Sequence, residues 1–301
     1  MNANEVKPVT QLIRPVDLSS ALYVVATPIG NLRDVTLRAL DTLAGVDVIY
    51  AEDTRQTRRL LDAYGITTSL RTYHDHNGAQ MRPQIISLLE EGKSIALVSD
   101  AGTPLISDPG FKLVRDVRDE GHKVVPLPGP SALTAALSAG GLPTDTFTFA
   151  GFLPVKTGQR LDRLKSFAGQ KTTLIFYETG NRLADTVSAI IEVFGAETEL
   201  VMARELTKMF ETIVHSEAGA FLEELNSSDK PKGEIVLMVS LTGDEAGTAG
   251  EADIDGYLLD RLESLGAKGA ANAAAKEFSL SKRDLYARAV ELQNAQKDKA
   301  D

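Results

Sequence analysis

Ser94-Ile95-Ala96-Leu97-Val98-Ser99-Asp100-Ala101-Gly102-Thr103-Pro104 (residues 94–104) is the stretch that decides the fold class. Ile95 to Val98 are apolar in succession, so a strand here is covered on both faces, whereas a half-solvated strand alternates. The run ends at an acid followed by Ala-Gly, a turn that leaves backbone amides open to a ligand. In open α/β sheets ligands bind beyond the carboxyl ends of the strands. A second acid–turn pair, Ser107-Asp108-Pro109-Gly110, follows at once, which is more than a plain connection requires.

The same grammar extends outward. Leu22–Ala26, Val46–Ala51 and Lys123–Pro126 read as further strands, and Leu37–Leu43, Thr54–Tyr64, Met81–Glu91 and Phe111–Glu120 carry helical spacing between them. Strands alternating with helices predict a largely parallel sheet with helices on each side. After Pro143 a second series begins. Phe147–Phe152, Thr172–Tyr177, Glu199–Ala203, Thr212–His215 and Ile235–Leu241 read as strands, with helices near Gln159–Phe167, Arg182–Phe194 and Ala218–Leu225. The close spacing of Glu199–Ala203 and Thr212–His215 suits a hairpin, so this sheet is expected to be mixed. The expected organisation is a flexible leader over 1–20, α/β domains over 21–143 and 144–242, a linker over 243–253 and a helical unit over 254–295. Gly266 and the Ser279-Leu280-Ser281 turn divide that last unit into three short helices.

Composition narrows the function classes. The 301 residues are 43% hydrophobic and 25% charged, ordinary for a globular chain. Zero cysteines exclude a disulfide scaffold, a thiolate zinc site and a cysteine nucleophile. No apolar run approaches the ~20 residues of a membrane helix, and the first residues lack a secretory core, so a cytoplasmic protein with no membrane partner is expected. A net charge of −10 argues against a generic polyanion binder. The distribution is uneven, however: residues 55–82 carry net +3 through Arg55, Arg58, Arg59, Arg71 and Arg82, and residues 268–301 carry net +2.

Three more turns follow strands. Ala26-Thr27-Pro28-Ile29-Gly30-Asn31-Leu32 is tight but has no phosphate-loop signature. Ala51-Glu52-Asp53-Thr54-Arg55 places Asp53 where it can cap the next helix, while Glu52 has no such task. Leu127-Pro128-Gly129-Pro130-Ser131-Ala132 delivers Ser131 to a helix start. His74-Asp75-His76 could chelate a metal, but no third ligand cluster accompanies it, and no metal is expected.

These turns, with His74-Asp75-His76-Asn77, Gly151-Phe152-Leu153-Pro154, Phe176-Tyr177-Glu178 and Ala203-Arg204-Glu205-Leu206-Thr207-Lys208, occur in one order over about residues 21–295. In that order they resemble the tetrapyrrole methylase superfamily, in its ribosomal-RNA-modifying branch. The resemblance implies two α/β domains with S-adenosylmethionine in the cleft between them, a homodimer, and 2′-O-methylation of a cytidine ribose in the decoding region of 16S rRNA in the small ribosomal subunit. It assigns the cofactor to Pro28, Asp100, Thr103, Ser131, Ala132, Tyr177, Ala203 and Gly233.

For the proton of the ribose hydroxyl, His74, Asp75 and Glu52 are the leading acceptors, with the 74–77 loop expected to line the cleft. Arg55, Arg58, Arg59 and Lys208 are the candidate RNA contacts. Lys268, Lys276, Lys282, Arg283 and Arg288 on the C-terminal helices either touch RNA or pack on the second domain. Two other readings stay open: a tetrapyrrole C-methyltransferase acting on a corrinoid or uroporphyrinogen, and a non-catalytic ribosome-binding module. The histidine loop, the arginine cluster and the helical tail weigh against the first, and the intact cofactor turns against the second.

Overall fold

The computed structural model describes residues 13–14, 16–243, 251–278 and 281–297. Strands β1 (Ala21–Val25), β2 (Val48–Ala51), β3 (Ser69–Thr72), β4 (Ser94–Val98) and β5 (Val124–Leu127) form one sheet in the order β3-β2-β4-β1-β5. Every pairing in it is parallel. The run at 95–98 is buried on both faces, as its sequence dictates. On one face Tyr23, Ile49 and Ala96 meet Leu40, Leu43 and Leu61 of α1 (Leu37–Gly45) and α2 (Thr54–Ala63). On the other, Leu22, Tyr50 and Ile95 meet Ile85, Leu89 and Leu113 of α3 (Gly78–Glu90) and α4 (Phe111–Asp119). The period-2 side-chain alternation of a strand sorts neighbours such as Leu22 and Tyr23 into opposite cores.

β3 is the element that the sequence pattern does not reveal. Ser69-Leu70-Arg71-Thr72 is a short edge strand with mostly exposed side chains, so burial leaves no apolar signature in it.

The second sheet contains β6 (Phe147–Phe152), β7 (Lys171–Thr179), β8 (Glu199–Arg204), β9 (Thr212–Glu217) and β10 (Glu234–Thr242), in the order β6-β7-β10-β8-β9. It is mixed: β6 runs parallel to β7, and the remaining pairings are antiparallel, with β8 and β9 forming the expected hairpin. One face packs on α6 (Thr157–Lys165), α7 (Gly180–Phe194) and α8 (Ala218–Ser227), around Leu164, Leu183, Ile190 and Phe221.

The other face is covered by α5 (Ala132–Gly140), which follows the last strand of the first sheet in the chain yet packs its Ala136 and Leu137 on Ile175, Val201 and Met238. Gly140 lets this helix close down, since a Cβ there would collide with Met238 Cε. Ile29, from the turn after β1, joins the same cluster. The two sheets are therefore joined by a shared apolar core.

The end of the leader is docked rather than loose: Ile13 and Leu18 pack against the first core, and the Ser20 hydroxyl donates to the Leu89 carbonyl at 2.9 Å. The expected linker lies mostly outside the described residues, and its last three residues already belong to α9 (Glu251–Glu277). That helix is broken at Gly266, whose φ of 63° and ψ of 170° are not helical. α10 (Lys282–Lys297) begins directly after Ser281, while Ser279 and Leu280 lie outside the described residues. The two helices share a core of Leu258, Leu262, Ala271, Ala274, Leu285 and Ala289.

Candidate active site

The turns after β1, β2, β4 and β5 converge where the second sheet presents the ends of β7, β8 and β10. Two of them are stitched together: Thr27 and Gly102 exchange backbone hydrogen bonds of 2.8 and 2.9 Å. Gly102 has φ +80°, a conformation that glycine adopts without penalty. Between the halves lies a cavity of about 430 Å³. Its first-sheet side includes Asp100, Thr103, Ser131 and Ala132; its second-sheet side includes Tyr177 and Ala203.

Six of the eight expected cofactor residues thus share one cavity. Pro28 lines an adjoining hollow of about 360 Å³ instead. Gly233 lines neither cavity; at φ +99° it lets the Glu205 carboxylate fold against the chain, where any Cβ would collide with it.

Local structure explains how each side chain is held. Ser131 is the residue before α5, but its side chain makes no cap bond, leaving the hydroxyl for the cavity. The Thr103 hydroxyl donates to the Pro130 carbonyl at 3.1 Å and ties the third turn to the fourth. Asp53 does cap α2, accepting from the Arg55 amide at 2.8 Å, and its own amide donates to Asp100 Oδ1 at 2.8 Å. Tyr177 stands edge-on to Phe149 and Phe152, with ring centroids 4.8 and 5.8 Å away, and burial pushes its hydroxyl pKa up. Ala132 and Ala203 are small, which leaves the room.

The electrostatics are one-sided. Among its described lining residues the cavity has five carboxylates and neither Lys nor Arg. Two of the five are neutralised from behind. Glu178 is buried and accepts from Thr186 Oγ1 at 2.7 Å, with Arg182 Nε 3.5 Å away. Glu234 holds the Lys208 ammonium at 2.9 Å, which also holds Glu205 at 2.8 Å. Glu52, Asp100 and Asp108 remain. Burial, followed by the charges of Asp100 and Asp108, raises the Glu52 pKa to about 7. Burial raises Asp108 as well, against a hydrogen bond from Ser99.

Asp108 is the site residue that the motif reading left unassigned. Its signal was the acid–turn pair 107–110, visible in sequence but without a partner until the fold set it opposite Glu52.

The histidine loop behaves differently from expectation. His74, Asp75 and His76 line neither cavity. The His74 amide donates to Asn77 Oδ1 at 2.9 Å, the Asn77 amide donates to His74 Nδ1 at 3.2 Å, and Asn77 Nδ2 donates to the Thr72 carbonyl at 3.1 Å. These bonds pair His74 with Asn77 and shape the entry into α3, while Asp75 and His76 are exposed. Asp75 is near enough for its charge to add to the upward shift of Glu52. Among the described residues no three His, Cys, Asp or Glu side chains group as a metal site.

Of the basic candidates, Arg55 is exposed but paired with Asp53 at 2.6 Å, and Lys208 is held in its acid pair. Arg58 and Arg59 lie along α2 and make no ion pair among the described residues, Arg59 lining the adjoining hollow. In the helical unit Arg288 is spent on Asp255 at 2.7 Å and Glu291 at 3.0 Å. Lys268, Lys282 and Arg283 instead line one open groove with Asn272 and Tyr286.

Comparison with known proteins agrees with this layout. The family described as Tetrapyrrole (Corrin/Porphyrin) Methylases matches residues 21–221, and the one described as RsmI C-terminal HTH domain matches 248–293. A relative from Mesorhizobium japonicum called "Ribosomal RNA small subunit methyltransferase I" is 50% identical over 277 residues, 92% of this chain and 94% of its own. One of the same name from Escherichia coli O157:H7 is 48% identical, covering 90% and 95%. Among solved structures, a cobalt precorrin-4 methyltransferase of cobalamin biosynthesis superposes with a TM-score of 0.56 at 17% identity, over 80% of this chain and all of its own. The uroporphyrin-III-C-methyltransferase of Thermus thermophilus superposes with 0.52 at 22% identity, over 76% and 97%. The last two matches establish the fold alone.

Proposed function

The chain belongs to the tetrapyrrole methylase family, and from that premise we propose that it methylates a cytidine 2′-hydroxyl in the decoding region of 16S rRNA, using S-adenosylmethionine. The observation that carries this reading is the cavity in which Glu52, Asp100 and Asp108 converge with no lining cation among the described residues. Uncompensated carboxylates beside small and aromatic walls suit a cationic, base-bearing ligand. When bound, S-adenosylmethionine supplies an electrophilic methyl group together with its own leaving group.

Within this reading Asp100, Thr103, Ser131, Ala132, Tyr177 and Ala203 hold and orient the donor, while Pro28 and Gly233 shape its surroundings. Glu52 accepts the proton of the ribose hydroxyl, because it combines a place on the cavity wall with a pKa near physiological pH. The 74–77 loop positions α3 and adds a negative charge behind Glu52. Arg58 and Arg59 supply the RNA-facing charge of the first domain. The relatives carry the ribosomal RNA name along nearly the whole chain, helical unit included, which favours this substrate over a tetrapyrrole.

The homodimer belongs to the same proposal. Met209, Val155 and Phe210, exposed at 90, 74 and 67%, offer apolar surface for it, and sedimentation of the purified chain tests it. So does action in the cytoplasm, where small subunits reside; among the described residues no helix is long and apolar enough to cross a membrane. The test of function is labelled donor with 30S subunits, followed by mass mapping of the 16S rRNA. One methylated ribose in the decoding region is the expected product. Transfer to uroporphyrinogen and none to subunits refutes the reading.

A further inference from the structure

The hollow beside the donor cavity has its own chemistry. The two share Ile29, Asp100, Ala101 and Glu234, so whatever sits in one abuts whatever sits in the other. Its walls are of two kinds. Pro28, Ile29, Leu32 and Leu60 offer flat apolar surface. The polar part comes from Gln56 and Arg59, on α2 like Leu60, which stand three residues apart and therefore on one side of the helix.

Arg59 Nη1 donates to Gln56 Oε1 at 3.3 Å. That bond occupies an amide acceptor and leaves the Gln56 amino group and the remaining guanidinium N–H groups available as donors among the described residues. Lys208 closes another wall but is neutralised by Glu205 and Glu234. Arg59 is thus the hollow's uncompensated cation among the described residues. Gly30 permits this closure, since a Cβ there would stand 2.5 Å from Lys208 Cγ.

We propose that this hollow seats the nucleotide being methylated, with its pyrimidine against the apolar wall and its acceptor edge read by Gln56 and Arg59. This deepens the function proposed above and rests on it. Sequence-specific RNA recognition works on unstacked bases, whose Watson–Crick edges become available to side chains. Cytosine presents two adjacent acceptors, N3 and O2, to a wall of donors. Uracil presents an N3–H there, donor against donor, and is disfavoured. A ribose attached to a base in this hollow lies toward Asp100 and the donor cavity, the direction the reaction needs.

The test compares wild type, Gln56→Ala and Arg59→Ala on reconstituted 30S subunits carrying either cytidine or uridine at the methylated position. Methyl transfer is followed as kcat/KM, and donor binding is measured by calorimetry. Both side chains are exposed on α2, so the variants should fold. Wild type should prefer cytidine. Each variant should lose about tenfold or more in kcat/KM on cytidine, with a narrowed preference over uridine, the scale of one lost base contact. Donor affinity should stay within about twofold.

Variants that match wild type in rate and preference overturn the seat. Loss of donor affinity in step with rate also overturns it, making the hollow part of the donor site. A wild type that transfers no methyl group to either subunit overturns the functional reading itself, and the seat with it.

Discussion

Glu52→Gln removes one ionisable group from the cavity wall and keeps its size, so its effect isolates the proton. With a pKa of about 7, roughly one-eleventh of Glu52 is ionised at pH 6 and ten-elevenths at pH 8. A base acts in its ionised form, so kcat/KM for the donor in wild type should rise about tenfold between those values and then level off. In Glu52→Gln the rate should drop by ~10²–10⁴-fold and lose that rise.

The cationic donor pulls the pKa down once bound, because an opposite charge favours the ionised carboxylate. The inflection near 7 therefore belongs to kcat/KM for the donor, and that of kcat should fall lower. Stability supplies an independent check of sign. A carboxylate whose folded pKa is raised binds its proton more tightly in the native state, so its contribution to stability falls as pH rises from the unfolded value, near 4.5, toward 7. Glu52→Gln should accordingly melt higher than wild type at pH 8 and alike at pH 4. A wild-type kcat/KM for the donor that is flat from pH 6 to 8, or a Glu52→Gln enzyme as fast as wild type, refutes the assignment. If His74→Ala or Asp75→Asn then shows the loss instead, the base lies in the loop after all.

Three other outcomes follow from the same geometry. Asp100→Ala should leave the fold intact and weaken donor binding sharply by calorimetry, because its carboxylate faces both cavities and receives the Asp53 amide at 2.8 Å; unchanged affinity refutes its role. Arg182→Met strands the buried Glu178 carboxylate and should cost ~3–5 kcal/mol in denaturant unfolding, with Glu178→Gln on top recovering part of it. Replacing Lys268, Lys282 and Arg283 with alanine should lower the salt slope of RNA binding by about two and leave donor affinity alone, since the Asp255 and Glu291 partners that occupy Arg288 do not line their groove; an unchanged slope confines RNA contact to the other domains.

The parts of this fold legible in sequence were those where burial dictates residue type. Ile95-Ala96-Leu97-Val98 is covered on both sides, so composition and structure say the same thing there. The same logic recovered the hairpin of β8 and β9 from its spacing. It failed for β3, an edge strand held by backbone pairing with β2, in which no side-chain pattern is required.

For the site, the motifs brought Asp100, Thr103, Ser131, Tyr177 and Ala203 to one cavity, but three facts needed coordinates. The proton affinity of Glu52 arises first from its burial and then from the charges of Asp100, Asp108 and Asp75, which lie 23 or more residues away along the chain. The polar crowd at 74–77 reads as a reactive centre because sequence shows donors and acceptors without their pairing; in space His74 and Asn77 pair with each other, and Asp75 and His76 are exposed. Lys208 reads as a free cation for the same reason, and Glu234, which binds it, comes from another strand.

The distribution of charge and strain also resolves how a chain of net charge −10 can work on a polyanion. The acids that matter are gathered inside the cavity, where three carboxylates converge with no lining cation among the described residues, an arrangement that costs stability until a cationic ligand relieves it. The loops that enclose them are held off the common backbone minima: Leu105 and Ser107 on one side, and Glu205 and Thr207 on the other, have φ of 74°, 66°, 52° and 65°. Such conformations cost roughly 1–3 kcal/mol each and persist where surrounding structure fixes them. Here the fixing contacts are visible. The Asn31 amide donates to Thr207 Oγ1 at 3.2 Å, the Thr207 amide donates to Glu211, and Lys208 binds Glu205. Cations without an ion pair among the described residues include Arg58 and Arg59 on α2 and Lys268, Lys282 and Arg283 on the groove of the helical unit, none of them lining the donor cavity. In the proposed function, negative charge selects the methyl donor within the cleft, and positive charge meets RNA on the surfaces beside it. The net charge of the whole chain reports on neither.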